Sequence, residues 1–410
     1  MASGLSTISF EDVLDRRNLT PAYQPVVDLM SGETVGYEAL ARWPALGIDP
    51  SEAFEWAARV GGVAELDRAC RAAAITGAVD TLAAEVTLFV NIEPSALTSR
   101  DAAEILALAG GRLRLVAEIT ERALLRRPAE LLRTVGQLRA AGCGIALDDV
   151  GAAPESLTLL PFVRPDVIKL DLSLIQRWPG PEQAAILTAV AAQAERSGAV
   201  VLAEGIETEA HREQALALGA SLGQGWLLGR PAGPSGRPVV AGSGLSAAGP
   251  PPPSAPTPFS LVEDRPLRVA PKGLLLAISH HLENRVLALD PPPVVLSTFQ
   301  EARHFTPFTE VRYRRLAAHC PLVAVIGAGL AAAPAPGVRG ADLEPDDALR
   351  DEWTVVVVGD HYAGALISQD LGDTGPDLHR RFAYAVTHDH DTVMAAARSL
   401  LQRVVASDSP

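Results

Sequence analysis

The amino-acid sequence predicts an α/β protein of two domains: a closed (β/α) barrel of the TIM type, then a second α/β domain. Three observations carry that expectation. The first 231 residues alternate eight short apolar runs with longer helix-like stretches. Residues 232–258 hold a single charge, Arg237, and are rich in proline, glycine and serine, a composition that buries no core and reads as a linker. Residues 259–410 then resume the alternation of apolar runs and helical stretches. A chain of 410 residues is too long for one ordinary domain and suits this division.

The apolar runs of the first domain are Ala22–Val27, Val35–Ala41, Val86–Asn91, Leu113–Ile119, Gly144–Asp149, Val167–Leu172, Val200–Glu204 and Gly225–Leu228. Between several of them lie stretches with helical spacing: Glu65–Ala83, Leu124–Ala141, Glu182–Ser197 and Glu209–Leu218. Repeated strand–helix units imply a mainly parallel sheet with helices outside it, and eight of them suggest closure. The competing arrangement is an open doubly wound sheet, but no GxGxxG follows an early strand.

Composition narrows the function classes. The 35 basic and 49 acidic side chains give a formal charge of −14, which offers no electrostatic footprint for DNA, RNA or an anionic membrane. Cys70, Cys143 and Cys320 are far apart and form no CxxC pair, so neither a disulfide framework nor structural zinc is expected. That usage fits a reducing compartment, and a cytoplasmic location is expected. The N-terminal segment lacks the basic and apolar regions of a signal peptide. The longest uncharged stretch, Pro321 to Val338, contains three prolines and reads as a strand and loop rather than a membrane span. Only Lys169 and Lys272 are lysines; every other basic residue is arginine.

The chemistry lies at the C-terminal ends of the apolar runs. Glu38 stands in EALAR, Asn91 in VNIEP, Glu118 in VAEITE, Asp148 and Asp149 in ALDDVG, Lys169 in VIKLD and Glu204 in LAEGIE. In a parallel barrel these ends share one face, where active sites form. A single acid after a strand is commonly a helix cap or a surface ion-pair partner. Successive strand ends carrying such groups aim several carboxylates at one point, and like charges there require a compensating cation. Oxygen donors without histidine or cysteine favour hard divalent ions, Mg²⁺ or Mn²⁺. The adjacent Asp148 and Asp149 make two ions plausible. Lys169, inside an apolar strand, supplies a compact ammonium suited to orienting a water or meeting charge on a phosphoryl oxygen.

With these residues in view, the first 231 residues resemble the EAL domain family, phosphodiesterases that linearise the bacterial second messenger cyclic di-GMP. The blocks AYQPVVDL, EALARW, VNIEP, EITE, LDDVG, PDVIKLD, AEGIE and QGWLLGRP carry the resemblance in order. It implies that Glu38, Asn91, Glu118, Asp148 and Asp149 hold two Mg²⁺ or Mn²⁺ ions. Glu204 would stand beside the attacking water, with Lys169 assisting. Gln24, Leu40, Arg42, Gln224 and Pro231 would line the nucleotide site, with Arg42 on a phosphate; Glu207 and Asp171 match supporting positions. The implied product is linear pGpG. The resemblance also implies a homodimer through the region after the paired aspartates.

One segment departs from the family. The usual DDFGTGYSSL reads DDVGAAPESL here, from Asp148 to Leu157. Loss of a glycine and gain of Pro154 stiffen that loop, which Glu121 in EITE normally supports. Every ligand position is retained, so hydrolysis is the expectation. The alternative is a receptor that binds the nucleotide without cleaving it and passes occupancy to the C-terminal domain. Separately, the C-terminal domain is expected to dock near Val150–Glu155 or on the dimer face and to set how well the second metal is held.

In the second domain, strand-like runs at Val294–Thr298, Leu322–Ile326 and Thr354–Val358 are separated by helical stretches such as Glu310–His319 and Thr392–Val404. The blocks FQEARHFTPFTEVRYRRLA, DEWTVVVVG and RRFAYAVTHDHDTVMAAARSLL resemble the DICT domain, a sensory module, over most of residues 259–407. THDHD (Thr387–Asp391) reads as a helix start, with Thr387 or Asp389 as cap, rather than as a metal motif, because histidines two apart do not share a helix face. Trp353 reads as core. Arg312, Arg314 and Arg315, near His304 and Tyr313, read as a solvated helix face, with anion binding as the alternative.

Overall fold

A computed structural model of the chain describes residues 8–94, 97, 99–120, 127–152, 157, 160–176, 180–233 and 255–404. The described residues pack as two compact units. The first takes in residues up to 120, 134–152 and 165–233; the second takes in 127–133, 157, 160–164 and 255–404.

In the first unit eight strands close into a barrel: β1 (Thr20–Asp28), β2 (Thr34–Arg42), β3 (Val86–Asn91), β4 (Leu113–Thr120), β5 (Gly144–Val150), β6 (Val167–Leu170), β7 (Val200–Ala203) and β8 (Leu222–Gly223). Neighbours from β2 to β8 are parallel, while β1 runs antiparallel to both β2 and β8. The cause is local. Only Leu29–Glu33 separate β1 from β2, far too few for the crossover that parallel strands need. Gly32, with φ 74°, and the Asp28 carboxylate, which accepts from the Met30 and Ser31 amides, close that turn as a hairpin.

The helices of the chain up to β8 are α1 (Phe10–Leu14), α2 (Pro50–Val60), α3 (Val63–Thr81), α4 (Ser99–Ala109), α5 (Pro128–Ala140), α6 (Leu160–Val163), α7 (Leu172–Gln176), α8 (Pro181–Ser197) and α9 (Glu209–Ala217). The four expected helical stretches fall on α3, α5, α8 and α9; residues 124–126 of the second lie outside the described residues. The eighth expected strand is displaced. It forms at Leu222–Gly223, and Gly225–Leu228 is a turn, with Gly225 at φ 153° and the Leu228 amide bonded to the Gly225 carbonyl. A Cβ on Gly225 would stand 2.1 Å from the Ile206 carbonyl oxygen, so close backbone approach, not strand pairing, determines that residue.

One residue from each strand joins a single buried cluster: Val26, Val35, Phe89, Val116, Ala146, Val167, Leu202 and Leu222. This layer fills the barrel as side chains do in closed parallel barrels. Because strand side chains alternate with period two, the next residue on the same face lies two positions on. Those residues are Asn91, Glu118, Asp148, Lys169, Glu204 and Gln224. Antiparallel β1 places Gln24, two positions earlier, at the same level. In β2 the register shifts at Val26/Val27 and leaves Val35 as an extra residue, so Glu38 follows by three. The sequence alternation thus converts an apolar layer into a polar layer above it.

The second unit contains a seven-stranded sheet in the order β12-β11-β10-β13-β14-β15-β9. Its strands are β9 (Arg268–Pro271), β10 (Val294–Glu301), β11 (Val323–Ala328), β12 (Arg339–Ala341), β13 (Glu352–Val358), β14 (Ala363–Asp370) and β15 (Arg381–Thr387). β10, β11 and β12 are parallel and the other pairs antiparallel. The expected runs correspond to β10, β11 and β13. Of the others, β9 and β12 are short, while β14 and β15 hold apolar runs, Ala363–Ile367 and Phe382–Val386, beyond those expected from the sequence.

The accompanying helices are α10 (Lys272–Val286), α11 (Pro307–Ala317) and α12 (His390–Leu401). Asp389 caps α12, accepting from the Thr392 amide at 3.0 Å, while Thr387 ends β15. Val393, Ala396, Leu400 and the following Val404 are fully buried, so the THDHD segment starts a core helix. The three cysteines are free. No helix among the described residues is long and apolar enough to cross a membrane.

The expected linker at 232–258 lies mostly outside the described residues, but both described edges are ordered into the units. Ala232 exchanges backbone hydrogen bonds with Tyr23 of β1 at 2.7 and 3.2 Å, and Thr257 is buried, its hydroxyl accepting from the Ser260 amide.

Candidate active site

Lys169 is fully buried in β6 and stands at the centre of the polar layer. Its Nζ lies 2.7 Å from Glu118 Oε1, 2.8 Å from Glu204 Oε1, 2.9 Å from Asp148 Oδ1 and 3.6 Å from Glu38 Oε2. Asn91 Nδ2 donates to Glu118 Oε2 at 3.1 Å and to Glu38 Oε1 at 3.4 Å. Gln224 Nε2 donates to Glu38 Oε2 at 2.9 Å. Carboxylate oxygens of Asp148, Asp149 and Glu204 lie within 4.8 Å of one another. Asp149 has φ 57°, in the left-handed region that aspartate tolerates better than most residues. That turn carries adjacent aspartates to a common point, which successive residues of a straight strand could not reach. All the metal-ligand positions and both further catalytic positions named from the sequence are therefore brought together.

The balance of charge is lopsided. Five carboxylates (Glu38, Glu118, Asp148, Asp149 and Glu204) face one ammonium. Burial, reinforced by Glu38, pushes the Glu118 carboxyl well above its ordinary range. Burial also pushes Glu204 up to about 7, against the pull of Lys169. Burial alone would lower the Lys169 ammonium, but Glu118, Glu204, Glu38 and Asp148 together hold it well above its usual value. It remains charged, and one positive charge cannot neutralise this set. The donors are all oxygen, adjacent and in excess, a set that fits hard divalent cations.

The positions assigned to a nucleotide divide into two groups. Leu40, Arg42 and Pro231 are half-buried, and Arg42 donates to the neighbouring Ala41 carbonyl at 2.8 Å. Gln24 lies directly across the β1–β2 ladder from Glu38 and donates to the Gly229 carbonyl at 3.2 Å. Gln224, by contrast, is only 3% exposed and is committed to Glu38, so its role in this arrangement is to orient a carboxylate. Asp171 accepts from the Ser173 amide at 2.8 Å at the start of α7, and Glu207 is exposed beside α9. Val150 is buried and Gly151 takes φ 102°; Glu121 and Ala153–Ser156 lie outside the described residues.

Trp226 was not among the residues expected at the site. It is 56% exposed immediately after Gly225, with the Arg230 guanidinium 4.3 Å from its ring centre. An exposed tryptophan in a glycine-bounded turn was the available signal.

Residues 9–231 match the family described as EAL domain, and residues 259–371 match the sensory domain in diguanylate cyclases and two-component system. The second match covers less than the 259–410 expected from the sequence. The chain is 33% identical over 232 residues to the cyclic di-GMP phosphodiesterase RocR of Pseudomonas aeruginosa, covering 53% of this chain and 58% of RocR. It is 34% identical over 234 residues to the bifunctional diguanylate cyclase/cyclic di-GMP phosphodiesterase MucR of the same organism, covering 53% of this chain and 34% of MucR. The probable cyclic di-GMP phosphodiesterase PdeB of Escherichia coli is 28% identical over 227 residues, covering 53% of this chain and 43% of PdeB. The chain thus spans from about a third to just over half the length of these curated relatives.

Proposed function

The chain belongs, through residues 9–231, to the EAL domain family, and from that membership we propose that it hydrolyses cyclic di-GMP to linear pGpG. The observation that carries this reading is the polar layer itself: five carboxylates and one buried ammonium, held above an apolar floor on successive strands. The names of the relatives supply the substrate class.

Glu38, Asn91, Glu118, Asp148 and Asp149 would hold divalent ions, Mg²⁺ or Mn²⁺, and two of them suit the number of donors. When bound, such ions polarise a phosphodiester and lower the pKa of water. The side chains do the rest. Asn91 and Gln224 clamp Glu38 by hydrogen bonds, fixing its carboxylate before substrate arrives. Lys169 supplies a fixed positive charge where a phosphoryl oxygen gains negative charge. Glu204, whose carboxyl burial holds above its ordinary range, would be the group that takes a proton from water. Leu40, Arg42, Gln24 and Pro231 would receive the nucleotide, with Arg42 pairing a phosphate.

The test is direct. The purified full chain is incubated with cyclic di-GMP and Mn²⁺ or Mg²⁺, and products are separated by chromatography. Accumulating pGpG is expected; none above a Glu38→Ala control overturns the hydrolytic reading. The altered segment after Asp149 favours a second reading, a non-catalytic receptor, and tight binding without turnover in either metal would support it. In both readings the C-terminal unit is proposed to regulate the barrel as a sensory domain, and the barrel to pair as a homodimer.

A further inference from the structure

The second unit contains a cavity of about 380 Å³ between α10, the end of β10 and the start of α11. That size falls within the range of roughly 300–1,000 Å³ typical of small-molecule sites. Leu276, Phe299 and Trp353 supply its apolar wall, and Arg303, His304 and Arg312 a basic one. Phe308, also lining it, is 87% exposed, an apolar side chain left in water beside the cavity. Covering it would remove that apolar surface from water.

The charges in the wall can be followed pair by pair. Glu283 is 1% exposed; it accepts from Tyr313 Oη at 2.9 Å and Ser279 Oγ at 3.2 Å, and it pairs with Arg312 Nε. Lys272, the chain's other lysine, holds both oxygens of Asp377 at 2.7 and 2.8 Å. The two carboxylates of the wall are therefore neutralised. Arg303 adds a third cation to the lining; among the described residues it pairs with Glu301, which lies outside the lining, and both side chains are largely exposed. The Arg312 guanidinium spends its Nε on Glu283, while its terminal nitrogens carry no hydrogen bond among the described residues. His304 registers the resulting field: burial, then Lys272 and Arg303, hold its imidazole below the ordinary value.

We propose that this cavity binds a small organic anion, an aromatic or other flat apolar body bearing one carboxylate or phosphate. The acidic group would take the free nitrogens of Arg312 with Arg303 beside it, and the body would lie against Leu276, Phe299 and Trp353 under Phe308. Arginine suits that task because its planar fork pairs two oxygens at once. The sequence grouped Arg312 with Arg314 and Arg315; the fold separates them, leaving the latter two exposed and turning Arg312 into the wall. The site lies wholly within the second unit, and the proposal stands apart from hydrolysis in the barrel.

The test uses the full chain with three probes of one shape, 1-naphthoate, 1-naphthylmethylphosphonate and 1-naphthalenemethanol. Binding is followed by calorimetry and by quenching of tryptophan fluorescence. At least one acid is expected to bind one-to-one and at least about tenfold more tightly than the alcohol, as charge-assisted hydrogen bonds imply. A preference for the phosphonate identifies a phosphate ligand, and a preference for the naphthoate a carboxylate. Arg303→Gln should weaken the acids about tenfold and leave the alcohol nearly unchanged. Leu276→Trp, which fills the cavity, should abolish binding; if it fails to fold by circular dichroism, Phe308→Ala on the surface serves instead and should weaken all probes. Binding of neither acid at millimolar concentration overturns the proposal. So does equal affinity for acid and alcohol, or acid binding unchanged by Arg303→Gln and by the cavity variant. Turnover of cyclic di-GMP is not read, so loss of the hydrolytic reading would leave these results standing.

Discussion

The two lysines of the chain mark two polar sites of opposite electrical design. Around Lys169 a single cation faces five carboxylates, and the deficit of positive charge calls for added cations. Around Lys272 and Arg312 each carboxylate lining the cavity has its own cation, and the lining also holds Arg303, whose partner Glu301 lies outside it, so the wall itself carries excess positive charge that suits an anion. Both sites bury a basic group beside an acid. What distinguishes them is the ratio, and the ratio rather than the presence of an ion pair indicates the sign of the missing partner.

The largest expected effect attacks that ratio directly. Lys169→Met leaves the buried acids without their cation, and unpaired buried charge costs about 3–5 kcal/mol. Urea unfolding in the presence of EDTA should show that loss, and Mn²⁺ should restore a large part of it. Full stability in EDTA would mean that the acids are solvated enough to manage alone.

Glu352 tests the other side of the comparison, as a buried carboxylate in β13 of the second unit. Burial pushes its carboxyl up to about 7, although the Thr257 hydroxyl and the Phe259 amide, the latter at 3.0 Å, oppose the shift. A folded-state value above the unfolded one gives a contribution that is complete at low pH. It is lost as pH rises from about 4.5 to about 7. Glu352→Gln should therefore gain up to about 3 kcal/mol at pH 8 and little at pH 4.5. Equal gains at the two pH values, by urea unfolding, would show that the carboxyl does not titrate there.

A smaller effect is expected from Lys169→Arg, which keeps the charge and changes its shape. A fully buried site has little room for a planar guanidinium, and turnover should fall on the order of 100-fold while nucleotide affinity is largely kept. Near-normal turnover would make the lysine a structural counter-charge. The last expected effect concerns coupling. Residues 1–233 should differ from the full chain in a Mn²⁺ titration of turnover by a factor of about 5–150, the usual span of linkage between sites. Superimposable curves would leave the C-terminal unit acting on another partner. The cut belongs after Gly233 rather than 231, because Ala232 is laddered to Tyr23.

Much of the barrel and its acids was legible because a closed barrel obeys a simple period. Phe89 and Asn91, Val116 and Glu118, or Val167 and Lys169 show it directly: apolar floor, then a chemical group two residues later. The antiparallel β1 is also legible in the five residues before β2, which are too few for a parallel crossover. Gly225–Leu228 is apolar enough for a strand, yet a glycine pressed against Ile206 imposes a turn that no apolar pattern signals. Gln224 was read as a nucleotide contact, and nothing in its neighbours reveals the bond to Glu38 across the barrel. The cavity of the second unit was invisible for the same reason. Arg312, Glu283 and Lys272 come from separate stretches, and only tertiary packing puts them in one wall.

The apolar layer from Val26 to Leu222 has a consequence for traffic. With a residue from every strand filling the barrel beneath the acids, that side of the cluster is closed, and any ion or nucleotide that the proposed reading brings to it would have to arrive from the other side. Cargo that shares one doorway must queue. Under that reading, an ion held against Glu118 would enter ahead of the nucleotide and leave after it. A chelator could then strip the empty protein quickly and the loaded one only as fast as nucleotide departs.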